Sequence, residues 1–91
     1  MKLEIESHWA DLAALSFCFT GFTGPIPPEL GNLVKLRFLH LDNNRLSGGI
    51  PPELGNLSNL EFLWLGSNRL SGSIPPELGN LPRLKNLSLD N

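Results

Sequence analysis

Leu30 to Glu53 reads LGNLVKLRFLHLDNNRLSGGIPPE, and Leu54 to Glu77 reads LGNLSNLEFLWLGSNRLSGSIPPE. The two stretches differ at seven of 24 positions and align without a gap. A third copy opens at Leu78 with LGNLPRLKNLSLDN and stops at Asn91, in mid-repeat. Repetition at a fixed period predicts a stack of like units, each sealed by its neighbours. Upstream, residues 9–29 fit the same frame with Trp9 in the place of Leu33. Leu12, Leu15, Phe17 and Phe22 then fill leucine positions, and Gly24, Ile26 and Pro27 match Gly48, Ile50 and Pro51. Thr20 stands where Asn44 and Asn68 stand, so this stretch reads as a degenerate first repeat. The expected organisation is an irregular segment 1–8, then units 9–29, 30–53, 54–77 and a truncated 78–91.

Each full unit carries LxxLxLxxNxL, as Leu36, Leu39, Leu41, Asn44, Leu46 and again Leu60, Leu63, Leu65, Asn68, Leu70. Alternation predicts a short strand in which Leu39 and Leu41, or Leu63 and Leu65, face the core while His40 and Trp64 face away. Strands recurring at this interval stack in parallel through right-handed crossovers. The crossover adds Leu46, Ile50, Leu54, Leu57 and Leu60 to the core. Pro51-Pro52 imposes extended backbone, and Glu53–Leu57 then predicts one turn of 3₁₀ or α-helix closed by Gly55 and Asn56. Gly48 and Gly72, each after a serine, suit tight turns with positive φ. Asn44 and Asn68 are expected to form a structural ladder, their amides satisfying backbone groups of their own and the adjacent coil.

These motifs, with the tail LSGxIPPELGNL at Leu46–Leu57 and Leu70–Leu81, resemble the plant-type 24-residue subclass of leucine-rich repeats. That subclass occurs in ectodomains of receptor-like kinases and in polygalacturonase-inhibiting proteins. The resemblance implies a right-handed α/β-type solenoid with short parallel strands on the concave face and extended or 3₁₀ segments on the convex face. It also implies binding of proteins, peptides or small hormones through the concave face, outside the cell or at its surface. Such ectodomains carry paired cysteines in terminal caps, whereas this sequence has one, Cys18, and permits no intrachain disulfide. Neither end reads as a cap, which predicts a fragment of a longer array with ends open to end-to-end self-association. Glu4, Glu6 and Asp11 interrupt the apolar run an export signal requires.

Composition narrows the remaining classes. A net charge of −2 without a basic stripe argues against nucleic acid, and no apolar run is long enough to span a bilayer. There is no GxSxG or GxxxxGK[ST]; Glu29, Glu53 and Glu77 recur with the repeat and read as framework, so no catalytic residue is assigned. Cys18, His40 and Asp42 come near one another in the expected stack but lack any metal-ligand spacing, and no cofactor is expected.

Four of the seven differences between the full units, Arg37/Glu61, His40/Trp64, Asp42/Gly66 and Asn43/Ser67, fall on the strand or its edge, away from the core. A fixed framework presenting changeable side chains is what recognition requires. Stacking predicts one column of Ala14, Phe38, Phe62 and Asn86, and a second of Ser16, His40, Trp64 and Ser88. Phe38, His40, Phe62 and Trp64 are therefore the candidate contacts for a protein or peptide partner, with Arg37, Glu61 and Asp42 at the edges. The plainer reading is that these aromatics stabilise one another across the strands. Arg37, Glu61 and Lys85 alternate in sign and suit register-locking pairs, each contributing about 0–1 kcal/mol. Arg45 and Arg69 read as solvated framework. Asn56-Leu57-Ser58 and Asn86-Leu87-Ser88 fit the glycosylation acceptor pattern. Four short strands expose roughly 15 by 17 Å, well below the roughly 800 Å² per partner of a standard interface. This stretch is thus expected to be part of a longer groove, and the alternative is a structural spacer within a receptor-like ectodomain.

Overall fold

A computed structural model describes residues 1–90. Along the chain come β1 (Ala14–Ser16), β2 (Thr23–Pro25), a 3₁₀ turn at Pro28–Asn32, β3 (Phe38–His40) and β4 (Arg45–Gly48). A 3₁₀ turn at Pro52–Asn56, β5 (Phe62–Trp64), β6 (Arg69–Leu70), a 3₁₀ turn at Pro76–Asn80 and β7 (Asn86–Ser88) follow. This is a right-handed leucine-rich-repeat solenoid in which every coil returns to the same two faces.

One face is a parallel sheet in the order β1-β3-β5-β7, whose register pairs Leu15 with Leu39, Leu39 with Leu63 and Leu63 with Leu87. Its strands have three residues each, shorter than the roughly five exposed positions expected from the sequence. The crossovers, expected as extended or 3₁₀ segments, hold a second parallel sheet, β2-β4-β6. Backbone donors and acceptors that find no partner in their own coil find one in the next. This second sheet is staggered: Thr23 pairs with Arg45 and Ser47 with Arg69, 22 residues apart, whereas the first sheet pairs residues 24 apart. One side of the stack is therefore paired in phase and the other with a two-residue slip.

The corners follow from residue chemistry. Pro51 is extended at φ −69°, ψ 134°, and the next residues take 3₁₀ geometry because a proline at the start leaves no amide unpaired. The chain bends with positive φ within or just beyond the strands of the second sheet, where Gly24, Gly48 and Gly72 supply 80°, 75° and 79° at one phase of the repeat.

Leucines fill the interior, and burial depends on what lies on the following side. At one phase Ile26 is 2% exposed and Ile74 is 53% exposed; at another Leu39 is 0% and Leu87 is 40% exposed. Identical residues are sealed where a coil follows them and open where none does. The opposite end departs from the expected bare end. Leu3 is buried, and Ile5, Trp9 and Leu12 pack partly buried on the same core. Lys2 bridges Thr23 in parallel, and Thr23 N–H donates to the Met1 carbonyl at 2.8 Å. Leu3 and Ile5, ahead of the repeat frame, thus add apolar cover to the β1 coil beside Trp9 and Leu12 of the degenerate first repeat.

The asparagine ladder has its expected chemistry. Asn44 is buried; its Oδ1 accepts from Thr20 and Phe22 N–H, both at 3.1 Å, and its Nδ2 donates to the carbonyls of Phe17, Leu41 and Asp42. Asn68 repeats this, accepting from Leu46 N–H and donating to Leu41, Leu65 and Gly66 carbonyls. Thr20, at the same phase, donates its hydroxyl to the Phe17 carbonyl at 2.7 Å and so serves its own coil only.

Candidate functional site

The three-residue strands of the first sheet point their middle leucines inward, so Phe38, His40, Phe62 and Trp64 stand on the outer surface. In-phase pairing then places like side chains directly over one another. Phe38 and Phe62 stack with ring centroids 5.2 Å apart, and His40 and Trp64 at 4.1 Å, both pairs inclined by 11°. Phe38 also meets His40 edge-on at 6.3 Å, which joins the two stacks into one cluster. Phe38, His40 and Phe62 are half-buried by this packing, and Trp64, 37% exposed, forms the outermost ring. Nε2 of His40 is shut from solvent and has no hydrogen-bond partner among the described residues, a local cost of about 1–3 kcal/mol. Trp64 Nε1–H donates to Asn86 Oδ1 at 2.8 Å, so the indole is held from the side as well.

The charged residues expected at the edges have defined partners. Glu61 lies between Arg37, at 2.6 Å, and Lys85, at 3.1 Å. The Arg37 and Lys85 hydrogen bonds hold the Glu61 carboxyl below its ordinary range. Arg37 also lies 5.3 Å from the Phe38 ring centroid. Asp42 accepts from the Cys18 thiol at 3.0 Å and from Asn43 Nδ2 at 3.0 Å. Burial opposes its charge, but the bonds from Cys18, the backbone and Asn43 outweigh burial and lower its pKa. Burial and the Asp42 carboxylate push the Cys18 thiol up, which keeps it protonated and weakly nucleophilic. Arg45 and Arg69 are exposed on the second sheet, away from this cluster.

Two features escaped the sequence reading. A pocket of about 440 Å³ opens beside Trp64, lined by Asp42, Gly66, Ser67, Asn86 and Asp90 among others. Gly66 lies between Asp42 and Asp90 of the coils on either side, and the Asp90 carbonyl packs over it so closely that a Cβ would collide. The Asp42/Gly66 difference was visible in the sequence, but the pocket beside it was not. The second feature is Phe19, 80% exposed at the rim with φ of 57°. Asn43 and Ser67 take the same left-handed conformation at the same phase, φ 59° and 53°, where a polar residue is ordinary and phenylalanine is not. A bulky aromatic at the phase of Asn43 and Ser67 was its only sequence signal. Both residues at the head of the acceptor patterns, Asn56 and Asn86, are exposed, and Asn86 lies in the pocket wall.

The family described as Leucine Rich repeats (2 copies) matches residues 34–71 and 58–91. No curated protein matches the sequence. Among solved structures, a plant ice-binding protein is 41% identical with a TM-score of 0.83, covering 87% of this chain and 26% of its own. A chain of the BIR3–SERK2 complex of Arabidopsis thaliana is 41% identical with a TM-score of 0.74, covering 76% of this chain and 37% of its own. The Arabidopsis receptor kinase HAESA, in complex with the peptide hormone IDA and the co-receptor SERK1, is 46% identical with a TM-score of 0.73. That match covers 75% of this chain and 12% of the other. The chain therefore spans well under half the length of the structures it resembles.

Proposed function

Because the chain belongs to the leucine-rich-repeat family, we propose that it is a recognition module binding a protein or peptide through its four-stranded face. Phe38, His40, Phe62 and Trp64 are the central contacts, with Arg37, Glu61 and Asp42 around them. The observation that carries the reading is the aromatic cluster itself: two ring stacks on the surface, a constant Phe38–Phe62 pair beside a His40–Trp64 pair that changes from coil to coil, over a constant leucine framework. Aromatic side chains bring large contact area at low entropic cost, which is why they anchor interfaces.

HAESA, in its complex with a peptide hormone and a co-receptor, supports this reading by sharing the fold. By the same likeness the chain acts at the cell exterior as part of a longer array. The likeness to an ice-binding protein supports a different use of one scaffold. Here the columns Arg37, Glu61, Lys85 and His40, Trp64, Ser88 change chemistry at every step, which suits the irregular surface of a partner rather than a repeating lattice.

The test is selection of displayed random peptides against the immobilised chain, followed by affinity measurement on the double variant Phe62→Ala, Trp64→Ala. The expected result is a loss of about tenfold or more with unchanged circular dichroism. Peptides that bind the variant equally well would overturn the assignment and leave the chain a structural spacer.

A further inference from the structure

Cys18, Asp42, Gly66 and Asp90 share one phase, two residues beyond the end of their strands. Coil spacing of about 4.8 Å places the Asp42 and Asp90 side chains, two coils apart, roughly 10 Å from each other. Both line the pocket beside Trp64, which Asn86, Ser67 and Ser88 help to complete. We propose that this pocket is an arginine subsite, which receives a guanidinium group of a partner peptide between Asp42 and Asp90 and against the indole of Trp64. This assignment rests on the peptide-recognition reading of the same face and names the side chain it selects.

Charge favours a cation. The ion pairs among the described residues join Lys35 to Asp11 and both Arg37 and Lys85 to Glu61, so neither Asp42 nor Asp90 has a lysine or arginine partner. Asp42 accepts from neutral donors, the Cys18 thiol, Asn43 and the backbone, and Asp90 from Ser88 at 2.9 Å, and both carboxylate residues line the pocket. Geometry favours arginine over lysine. A planar guanidinium has donors on opposite edges and can bond both carboxylates at once while its face lies on an indole; an ammonium is a point charge that reaches one side. Trp is also the ring type that best attracts a cation. Its other contacts, His40 stacked at 4.1 Å and Asn86 accepting from Nε1, hold the wall in place before a ligand arrives.

The experiment titrates the tripeptide acetyl-Gly-Arg-Gly-amide into the isotope-labelled chain and follows the two tryptophan indole N–H signals. The neutral citrulline peptide and the lysine peptide serve as comparisons. The Trp64 signal is expected to shift saturably while that of Trp9 stays in place, and citrulline is expected to bind about tenfold more weakly. Asp90→Asn and Asp42→Asn should each weaken arginine binding, with lysine intermediate between arginine and citrulline. Asp90→Asn is the cleaner variant, because Asp42 also holds the Cys18 thiol. Equal binding of arginine and citrulline, or indifference to both substitutions, overturns the proposal. Selected peptides that lose affinity on Trp64→Ala but not on Asp42→Asn or Asp90→Asn would reject the subsite alone. Peptides unaffected by Phe62→Ala, Trp64→Ala would reject the recognition reading beneath it.

Discussion

Phe19 shows how strongly a repeat imposes conformation on one residue. Its N–H donates to the Asn43 carbonyl, as Asn43 N–H does to Gly66 and Ser67 N–H to Asp90, so an inter-coil ladder fixes the backbone whatever side chain is present. Asparagine tolerates the left-handed region, and phenylalanine there costs roughly 1–2 kcal/mol. With its ring in solvent, little packing offsets that cost. Phe19→Asn is therefore expected to raise the free energy of unfolding by about 1 kcal/mol in urea titrations. A loss of stability instead would show that the ring contributes packing. The Asn44 amide is the converse case: five hydrogen bonds to backbone groups justify a polar side chain in a leucine core.

Among the elements, β3, β5 and β7 are tied not only by backbone pairing but by the Arg37, Glu61, Lys85 column at their leading edge. Glu61 carries the pH dependence. Its folded pKa lies below the ordinary 4.5, so the stability it contributes is complete above that value and is lost as pH falls through the lowered folded value. Thermal unfolding followed from neutral pH into the acid range should lose part of its acid dependence in Glu61→Gln. An unchanged profile would mean that the two ion pairs are too well solvated to matter. The same pairs, formed by residues 24 apart, also resist slippage of one strand against the next, because a one-residue shift separates every charge.

For the whole molecule, stability is a sum over neighbouring coils, and position in the stack decides what a leucine contributes. Leu39 and Leu87 occupy one phase of the repeat at the centre of equivalent strands, yet one is sealed and the other 40% exposed. Leu39→Ala should cost about 2–5 kcal/mol and Leu87→Ala about 1 kcal/mol, measured by chemical denaturation. Equal costs would refute the nearest-neighbour account. Leu3 and Ile5 lie against the β1 coil and cover the stacking surface that was expected to be bare there.

The period, the inward leucines, the asparagine ladder, the positive-φ glycines and the in-phase aromatic columns were legible in residues 30–77, because each is a property of one coil repeated. Leu39 must face the core and His40 must face away whatever lies beside the strand. Other features were not legible: the second sheet and its slip, the apolar cover supplied by Leu3 and Ile5, and the pocket beside Trp64. These are relations between coils. They depend on how one turn of chain is tilted and shifted against the next, and backbone pairing between residues 22 or 24 apart sets that, with no local pattern to announce it.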